Sequence, residues 1–194
     1  MGGLYRSWLM VHCRTVNRVK QIGIFINFKP VSLIITMNGT AQSITLKRTD
    51  SDDTGFRNLI ILLDKDLENR YGAQQGFFNQ FNKLDKIKNV VIAYLDDVPV
   101  PVGCGALRPY NETDIEIKRM FVADEHRGKG IAIQVLNELE NWATELNFQN
   151  FILETGTNQP EAISLYLKCG YEIIPAYGHY VGVENSICMG KGLG

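Results

Sequence analysis

One segment of the chain constrains the fold more than any other, because a strand, a glycine-containing loop and a long helix follow each other in it directly. The strand pattern ends at Val122, glycines occupy positions 128 and 130, and apolar residues then recur at helical spacing from Ala132 to Leu146. The first backbone N–H groups of such a helix have no partner within it, and the helix dipole is positive there. Together with the charges of Arg127 and Lys129, this pattern predicts a cradle for an anion, well suited to a pyrophosphate.

The simpler alternative for this segment is an ordinary strand–helix turn in which the glycines serve only the backbone geometry. The segment lacks the GxxxxGK[ST] signature and the third glycine of GxGxxG, so it matches neither of the commoner phosphate-binding loops. The loop by itself therefore leaves both interpretations open.

Alternating and helical patterns along the rest of the chain predict the order β-α-α-β-β-β-α-β-α-β-β. The three consecutive strands in the middle are expected to be antiparallel, beginning with a hairpin that turns at Asp96-Asp97. This order is typical of an α+β domain with a mixed, mostly antiparallel sheet flanked by helices. The predicted strands are 43–48, 89–95, 98–107, 115–122, 151–155, 171–174 and 186–189, and the predicted helices are 56–71, 77–84, 132–146 and 160–169.

Charge is distributed unevenly along the chain. The 194 residues include 20 Lys+Arg and 21 Asp+Glu, a formal net charge of −1, yet residues 1–36 contain five basic residues and no acidic one. Residues 37–194 are mildly acidic, which argues against binding to nucleic acid because that function requires a basic face.

Residues 1–36 admit three interpretations: a targeting presequence, an additional strand or helix, or a translated stretch upstream of an authentic start at Met37. The third is favoured, because balanced charges and a clean strand pattern begin just after Met37. We therefore expect a basic N-terminal extension over 1–36, whose presence in the native protein is open, and a single domain over 37–194.

The sequence indicates neither a metal site nor a membrane helix. The four cysteines lie far apart, and with three scattered histidines they show no metal-ligand spacing. Reduced thiols in a cytosolic protein are the simplest interpretation. The longest apolar stretch near the start, 22–28, is far shorter than the ~20 residues that a membrane-spanning helix needs.

Two motifs resemble those of a known family. The segment 127–132, Arg-Gly-Lys-Gly-Ile-Ala, matches the R/Q-x-x-G-x-G/A signature of the GNAT superfamily of acyl-CoA-dependent N-acetyltransferases. The segment 162–171 matches the family pattern A-I-x-L-Y-x-K-x-G-F/Y, and the segments 116–122 and 151–155 resemble the family's fourth and fifth strands. The resemblance covers about residues 43–190 and implies the family's fold, a mixed sheet of seven strands.

The resemblance also implies where acetyl-CoA, the family's co-substrate, binds. Its pyrophosphate would lie on the glycine loop, and its pantetheine arm would pair like an additional strand with the fourth strand, where that strand and the fifth separate. Many members have an asparagine where this chain has Gln159, which is one methylene longer. The implied cofactor-binding residues are Met120, Phe121, Val122, Arg127, Gly128, Lys129, Gly130, Ile131, Ala132 and Gln159.

Two catalytic residues are implied by the same resemblance. Tyr166 occupies the position of the family tyrosine that protonates the departing CoA thiolate, which suits a phenol because it stays neutral at physiological pH. Glu116 lies on the fourth strand, where several members carry a catalytic glutamate, and it would take the proton of the amine if burial raises its pKa.

The choice of general base is open from the sequence. An ion pair of Glu116 with Lys118 or Arg119 is as plausible as catalysis. Glu154 on the fifth strand is a second candidate for the base, and Glu184 is a third.

The expected function is transfer of the acetyl group of acetyl-CoA to a primary amine, by direct attack in a ternary complex and without a metal. The alternative is a non-catalytic acyl-CoA-binding or sensor module on the same fold. The acceptor, a small-molecule or peptide amine, has no readable motif, and its loops are expected around 70–86 and 175–186. We expect no nucleic-acid or membrane partner and a cytoplasmic location, and a homodimer is compatible with the sequence.

Overall fold

The computed structural model of the chain describes residues 31–37, 40–72 and 87–193, which form an eight-stranded mixed sheet with helices on both faces. The helices are α1 (Thr54–Tyr71), α2 (Ile131–Glu145) and α3 (Pro160–Lys168). The strands are β1 (Val31–Met37), β2 (Thr40–Thr49), β3 (Asn89–Leu95), β4 (Gly103–Pro109), β5 (Asp114–Val122), β6 (Asn150–Gly156), β7 (Glu172–Ile173) and β8 (Ser186–Gly192).

The strand order in the sheet is β1-β2-β3-β4-β5-β6-β8-β7. Each neighbouring pair from β1 to β5 is antiparallel, β5 and β6 are parallel, and β6, β8 and β7 are again antiparallel. The expected mixed, mostly antiparallel sheet is therefore confirmed. The single parallel pair lies in the middle of the sheet, between the two antiparallel parts.

Side chains of β3 show how the sheet is covered on both faces. Val91 and Ala93 belong to a buried cluster with α2, whereas Val90 and Ile92 belong to a second cluster with α1. Successive strand residues point to opposite faces, so α1 and α2 cover the sheet from opposite sides. Burial of each large apolar side chain in these clusters contributes about 1.5–3 kcal/mol.

The ends of α1 follow from local chemistry that the sequence indicates. The Asp53 carboxylate accepts hydrogen bonds from the backbone N–H groups of Gly55 at 2.8 Å and Phe56 at 3.3 Å. At the other end the helix stops at Gly72, whose φ of 55° is accessible to glycine at little cost. The helix thus begins two residues before the predicted start at Phe56 and ends at Tyr71 as predicted.

The structure differs from the predicted elements in two places, and it has an eighth strand, β1, besides the seven expected. The return strand of the hairpin begins at Gly103 instead of residue 98, because Pro99 and Pro101 have no N–H group to donate to a ladder. The strand β1 pairs with β2 and lies across the predicted boundary at Met37. The assignment of residues 1–36 as an extension stays a prediction, and the predicted helix 77–84 lies outside the described residues.

Candidate active site

The strands β5 and β6 pair over only half of their length. Their parallel ladder joins Asp114–Ile117 to Asn150–Leu153 and ends there, although β5 continues to Val122 and β6 to Gly156. Beyond that point the edge of β5 that faces β6 has no strand beside it, so the backbone groups along it are available to a ligand. The separation expected between the family's fourth and fifth strands is present.

An irregularity in β5 accompanies this separation. Cys104 and Ala106 of β4 pair with Phe121 and Lys118, so one residue of β4 lies opposite two residues of β5. Arg119, the first residue of this bulge, has a φ of 56°, which is uncommon for a residue with a side chain. A bulge bends its strand and increases the local twist, and here it re-aims the final residues of β5.

The gap between the strands is a cleft with an empty volume of about 750 Å³, part of it open to solvent. Its walls come from β5, β6, α1 and α3. The lining residues are Leu63, Leu67, Tyr71, Glu116, Ile117, Lys118, Arg119, Met120, Glu154, Thr155, Gly156, Gln159, Ala162 and Tyr166. Both predicted catalytic residues, Glu116 and Tyr166, therefore line one cleft.

The start of α2 lies just past the open end of β5 and has the features of an anion cradle. Gly130 caps the helix with a φ of 75° and no side chain bonds to the cap, so the backbone N–H groups of the first turn remain available. A Cβ placed on Gly128 would meet nothing within 4 Å, which leaves the backbone open to close approach. These observations fit the pyrophosphate of a CoA molecule, held by the backbone from Arg127 to Ala132.

The two cations of this loop differ in their surroundings. The Arg127 side chain donates to the Val122 carbonyl at 3.0 Å and forms an ion pair with Asp124 at 2.8 Å, so it also braces the loop. Lys129 makes no ion pair with a described residue, and its Nζ lies 3.3 Å from Nδ1 of His126. The charge offered to an anion at this position therefore comes chiefly from Lys129 and the helix start.

Tyr166 is 5% exposed and lies on α3 with its phenol in the cleft. Burial raises the pKa of Tyr166, and the negative charge of Glu154 raises it further. The phenol is consequently neutral across the physiological range and carries a proton to donate.

Glu116 on β5 is fully buried and has several partners. Its Oε1 accepts hydrogen bonds from the hydroxyls of Tyr177 at 3.1 Å and Tyr180 at 3.0 Å, and lies 3.4 Å from Nζ of Lys118. Its Oε2 lies 3.0 Å from Nη2 of Arg108, an ion pair that is not aligned as a hydrogen bond. The ion pair with Lys118 that the sequence offered as an alternative is therefore present, whereas Arg119 pairs with Asp64 instead.

Glu154 on β6 lines the same cleft and has fewer partners. Its Oε1 accepts a hydrogen bond from Oγ of Ser186 at 2.8 Å, and it makes no ion pair with any described residue. Burial raises its pKa, against the hydrogen bond from Ser186 and the charge of Lys118. Glu184, the third candidate, is exposed and does not line the cleft.

Gln159 lies at the start of α3 and points its amide oxygen toward β6. Its Oε1 accepts from the backbone N–H of Gly156 at 3.1 Å and from Oγ1 of Thr155 at 3.3 Å. The longer side chain thus accepts hydrogen bonds from the last residues of β6, and Gln159 still lines the cleft. Its role toward the pantetheine arm stays a prediction.

Sequence reasoning missed the residues that surround Glu116. Arg108 comes from β4, and Tyr177 and Tyr180 come from the C-terminal segment, more than 60 positions further along the chain. Their only signal in the sequence is a dense aromatic stretch, Tyr177-Gly-His-Tyr180, inside the segment expected to form an acceptor loop. The other expected acceptor loop, around 70–86, lies outside the described residues except for 70–72.

Comparisons with known proteins now bear directly on this cleft. The model of the acetyltransferase (GNAT) family matches residues 57–171. The chain belongs to this family. An IAA acetyltransferase of Azospirillum brasilense is 31% identical over 154 residues, which are 78% of this chain and 99% of that protein.

Solved structures agree with this assignment. A protein described as an acyl-CoA N-acyltransferase of Klebsiella pneumoniae has a TM-score of 0.66 and 28% identity, over 77% of this chain and 97% of that one. A GNAT family acetyltransferase of Elizabethkingia anophelis, solved with acetyl-CoA bound, shares the fold with a TM-score of 0.56 and 17% identity, over 77% of this chain and 98% of that one. None of these three relatives is described as a sensor or a non-catalytic binding protein.

As a GNAT member, the chain is an acetyl-CoA-dependent N-acetyltransferase that uses acetyl-CoA as its co-substrate. Its acetyltransferase homologues act on small-molecule or peptide amines. Within residues 31–37, 40–72 and 87–193, no group of three or more His, Cys, Asp or Glu residues is arranged to hold a metal ion. No helix in the same ranges is long and apolar enough to cross a membrane.

Proposed function

We propose that this GNAT acetyltransferase binds acetyl-CoA along the open edge of β5 and transfers the acetyl group directly to an amine that enters the cleft. The observation that carries the proposal is that three features follow one another along the cleft and the adjoining loop. They are the unpaired edge of β5 after Ile117, the start of α2 after Gly130, which no side chain caps, and the buried phenol of Tyr166. The first two features suit the pantetheine arm and the pyrophosphate, and the third suits the leaving sulfur.

In this mechanism the chain supplies orientation, polarisation and protons. Backbone N–H groups of β5 between Met120 and Val122 hold the thioester carbonyl and stabilise the negative charge that develops on its oxygen. The amine nitrogen forms a bond to the carbonyl carbon, and the C–S bond breaks. Tyr166 donates its proton to the departing thiolate, and a carboxylate of the cleft takes the proton from the nitrogen.

Direct attack in a ternary complex is favoured over an acyl-enzyme, because the cysteines of the described residues are poorly suited to nucleophilic attack. Cys104 is fully buried, and burial raises the pKa of its thiol well above the usual range. Cys169 and Cys188 likewise have a pKa raised chiefly by burial, and neither lines the cleft.

A small molecule is the acceptor class that the names of two relatives favour. Besides the IAA acetyltransferase, a streptothricin acetyltransferase of Escherichia coli is 37% identical, but only over 57 residues, 29% of this chain and 33% of that protein. Both relatives are named after small molecules.

The test is release of free thiol from acetyl-CoA in the presence of spermidine, tryptamine, L-lysine amide and a short peptide with a free N-terminus. We expect turnover with at least one of these amines, and a mass increase of that amine by one acetyl group. Tight binding of acetyl-CoA without turnover of any amine would instead support the sensor alternative.

The remaining expectations belong to the same proposal. We propose that the enzyme acts in the cytoplasm, that it needs no nucleic-acid or membrane partner, and that residues 37–194 form the catalytic domain. A homodimer is the oligomeric state to test, and sedimentation of the full chain distinguishes it from a monomer.

A further inference from the structure

The two carboxylates of the cleft lie on neighbouring strands but in different surroundings. Glu116 belongs to the last paired stretch of β5, whereas Glu154 is the first residue of β6 after its ladder with β5 ends at Leu153. Glu154 therefore lies at the point where the strands separate, in the cleft that Met120 also lines. The question is which of the two takes the proton from the amine.

The contacts of Glu116 disfavour it as the proton acceptor. Two cations, Arg108 and Lys118, and two phenol donors, Tyr177 and Tyr180, contact its carboxylate, and its side chain is only 1% exposed. Both of its oxygens are therefore engaged by partners within the protein, in a buried place where the loss of such contacts is most costly. An amine in the cleft would have to displace one of these partners to reach Glu116.

The same contacts give Glu116 a positioning role. Tyr177 precedes the short helical turn Gly178–Tyr180 in the C-terminal segment and Tyr180 ends it, and both hydroxyls donate to Glu116 of β5. Tyr180 is buried, accepts a hydrogen bond from Nζ of Lys118 at 2.9 Å, and packs edge-on against Tyr177 at 5.3 Å. Glu116 thus fastens the C-terminal segment to the wall of the cleft.

Glu154 has the opposite character. One hydrogen bond, from Ser186, holds its carboxylate in place, and within the described residues no cation forms an ion pair with it. The nearby charge of Lys118 lowers the pKa of Glu154, and that of Glu116 raises it. The burial of Glu154 and its raised pKa favour proton uptake, and its charge acts directly on Tyr166, the proposed acid on the other side of the reacting bond. Glu154 and the proposed acid Tyr166 thus line the same cleft, and burial raises the pKa of both groups.

We propose that Glu154 is the general base of the acetyl transfer and that Glu116 is a positioning residue that anchors Tyr177 and Tyr180. This inference rests on the proposed function. As the nitrogen–carbon bond forms and the carbon–sulfur bond breaks, the proton of the neutral amine passes to Glu154 and the proton of Tyr166 passes to the sulfur. Afterwards Glu154 returns a proton to the Tyr166 phenolate through solvent, so that the two groups are restored and the charges balance.

The first experiment compares Glu154→Gln with Glu116→Gln, using the panel amine of highest turnover and acetohydrazide, a small nucleophile that stays uncharged over the pH range. We expect Glu154→Gln to lower kcat by about 10²-fold, as removal of a general base does, and to abolish the acidic limb of the pH profile with acetohydrazide. Glu116→Gln keeps that limb, raises the KM for the amine and lowers Tm, because Arg108 and Lys118 lose their partner. Binding of acetyl-CoA, measured by calorimetry, checks that both variants are folded.

A second experiment separates chemistry from structure. Formate added to Glu154→Ala should raise the rate of that variant by about tenfold or more. Formate added to Glu116→Ala should leave the rate of that variant unchanged. Ser186→Ala should move the acidic limb to higher pH, because it removes a hydrogen bond that lowers the pKa of Glu154.

An unchanged kcat in Glu154→Gln, or rescue by formate of the Glu116 variant instead, overturns this inference while the acetyl transfer itself stands. Absence of turnover by the unmodified enzyme with every amine would contradict the proposed function itself, so the two failures are distinguishable.

Discussion

The two halves of the β5–β6 pair are built from the same two strands, yet one half is closed and the other is open. In the closed half, four residues of β5 pair with four of β6, and side chains reinforce the ladder: Nδ2 of Asn150 donates to Oδ1 of Asp114 at 2.7 Å. In the open half, β5 is bulged at Arg119, and the walls of a cleft replace the ladder. A short, firmly joined segment thus holds two strands together while their continuations separate far enough to admit a substrate.

The two halves also differ in the groups that surround their carboxylates. Glu116, on the closed side, is surrounded by donors and cations, whereas Glu154, on the open side, has one serine donor. The carboxylate of the closed half therefore holds elements together, and the carboxylate of the open half remains available for chemistry. Three changes, from the largest expected effect to the smallest, test this contrast.

The largest effect is expected in the open half, at the proposed acid. Tyr166→Phe should lower kcat by about 10²-fold or more while largely sparing the affinity for acetyl-CoA, because it removes the proton donor and keeps the ring. Stopped assays of thiol release give kcat, and calorimetry gives the affinity. Unchanged turnover would remove Tyr166 from the acid role.

The matched control for this change is Tyr171→Phe. Its ring neighbours that of Tyr166 at 5.7 Å, but its hydroxyl donates to Glu140 at 2.8 Å, away from the cleft. We expect this control to cost stability, since it leaves Glu140 one donor short, and to leave turnover near that of the unmodified enzyme.

The next effect is expected at the bulge that separates the halves. Gly105 lies opposite the bulge, and a Cβ there would lie 2.5 Å from Sδ of Met120, 2.7 Å from Cδ1 of Leu139 and 3.0 Å from Cγ1 of Val135. Gly105→Val should therefore lower the free energy of unfolding by about 3 kcal/mol, the upper end of the usual cost of overpacking. Urea unfolding measures this loss.

Gly192→Ala is the control for the glycine at the bulge. A Cβ at Gly192 would meet only Oδ1 of Asn150, at an ordinary 3.5 Å, so its effect should stay within about 0.5 kcal/mol. Equal losses in the two variants would contradict a special role of close packing at the bulge.

The smallest effect is expected in the closed half, where the hydrogen bond from Asn150 to Asp114 is partly exposed. Hydrogen bonds, first that from Asn150, lower the pKa of Asp114, so the stabilisation is present above the unfolded pKa of about 3.9 and is lost as pH falls through the lower folded value. With screening by solvent, Asn150→Ala should cost about 0.5–1 kcal/mol at pH 7 and nothing once Asp114 is protonated.

Thermal unfolding of this variant at neutral and acidic pH measures the difference. Asn137→Ala, an exposed change on α2, is the control and should show no such dependence on pH. A loss from Asn150→Ala that persists at acidic pH would assign the effect to packing instead of to the hydrogen bond with an ionised Asp114.

Much of the fold was readable from the sequence because its signals are local. The cap at Asp53, the stop at Gly72, and the apolar spacing of α2 each depend on residues within a few positions of one another. The strand–glycine loop–helix segment was equally local, so the loop and the helix start at 127–132 were predicted where the structure has them, while anion binding there stays a prediction. Tyr166 was predicted to line the site because it lies within a second local motif, and it does line the cleft.

The surroundings of the two glutamates were not readable, because they depend on partners far apart in the chain. Glu116 was predicted from its strand position, but its contacts with Arg108, Tyr177 and Tyr180 arise only when β4, β5 and the C-terminal segment come together. The bulge at Arg119 was also missed, since it depends on how β5 pairs with β4 instead of on the composition of β5 itself.

The sequence by itself determined the family, the order of the described elements from β2 onward, and the presence of Glu116 and Tyr166 in the cleft, because periodicity, caps and glycine positions act over a few residues. Only the tertiary structure decided where β5 and β6 separate and which glutamate is already occupied by other partners. The physical reason is that a carboxylate's tendency to take up a proton depends on its burial and on the charges within a few ångströms of it. Those neighbours come from strands and loops that the chain brings together only on folding.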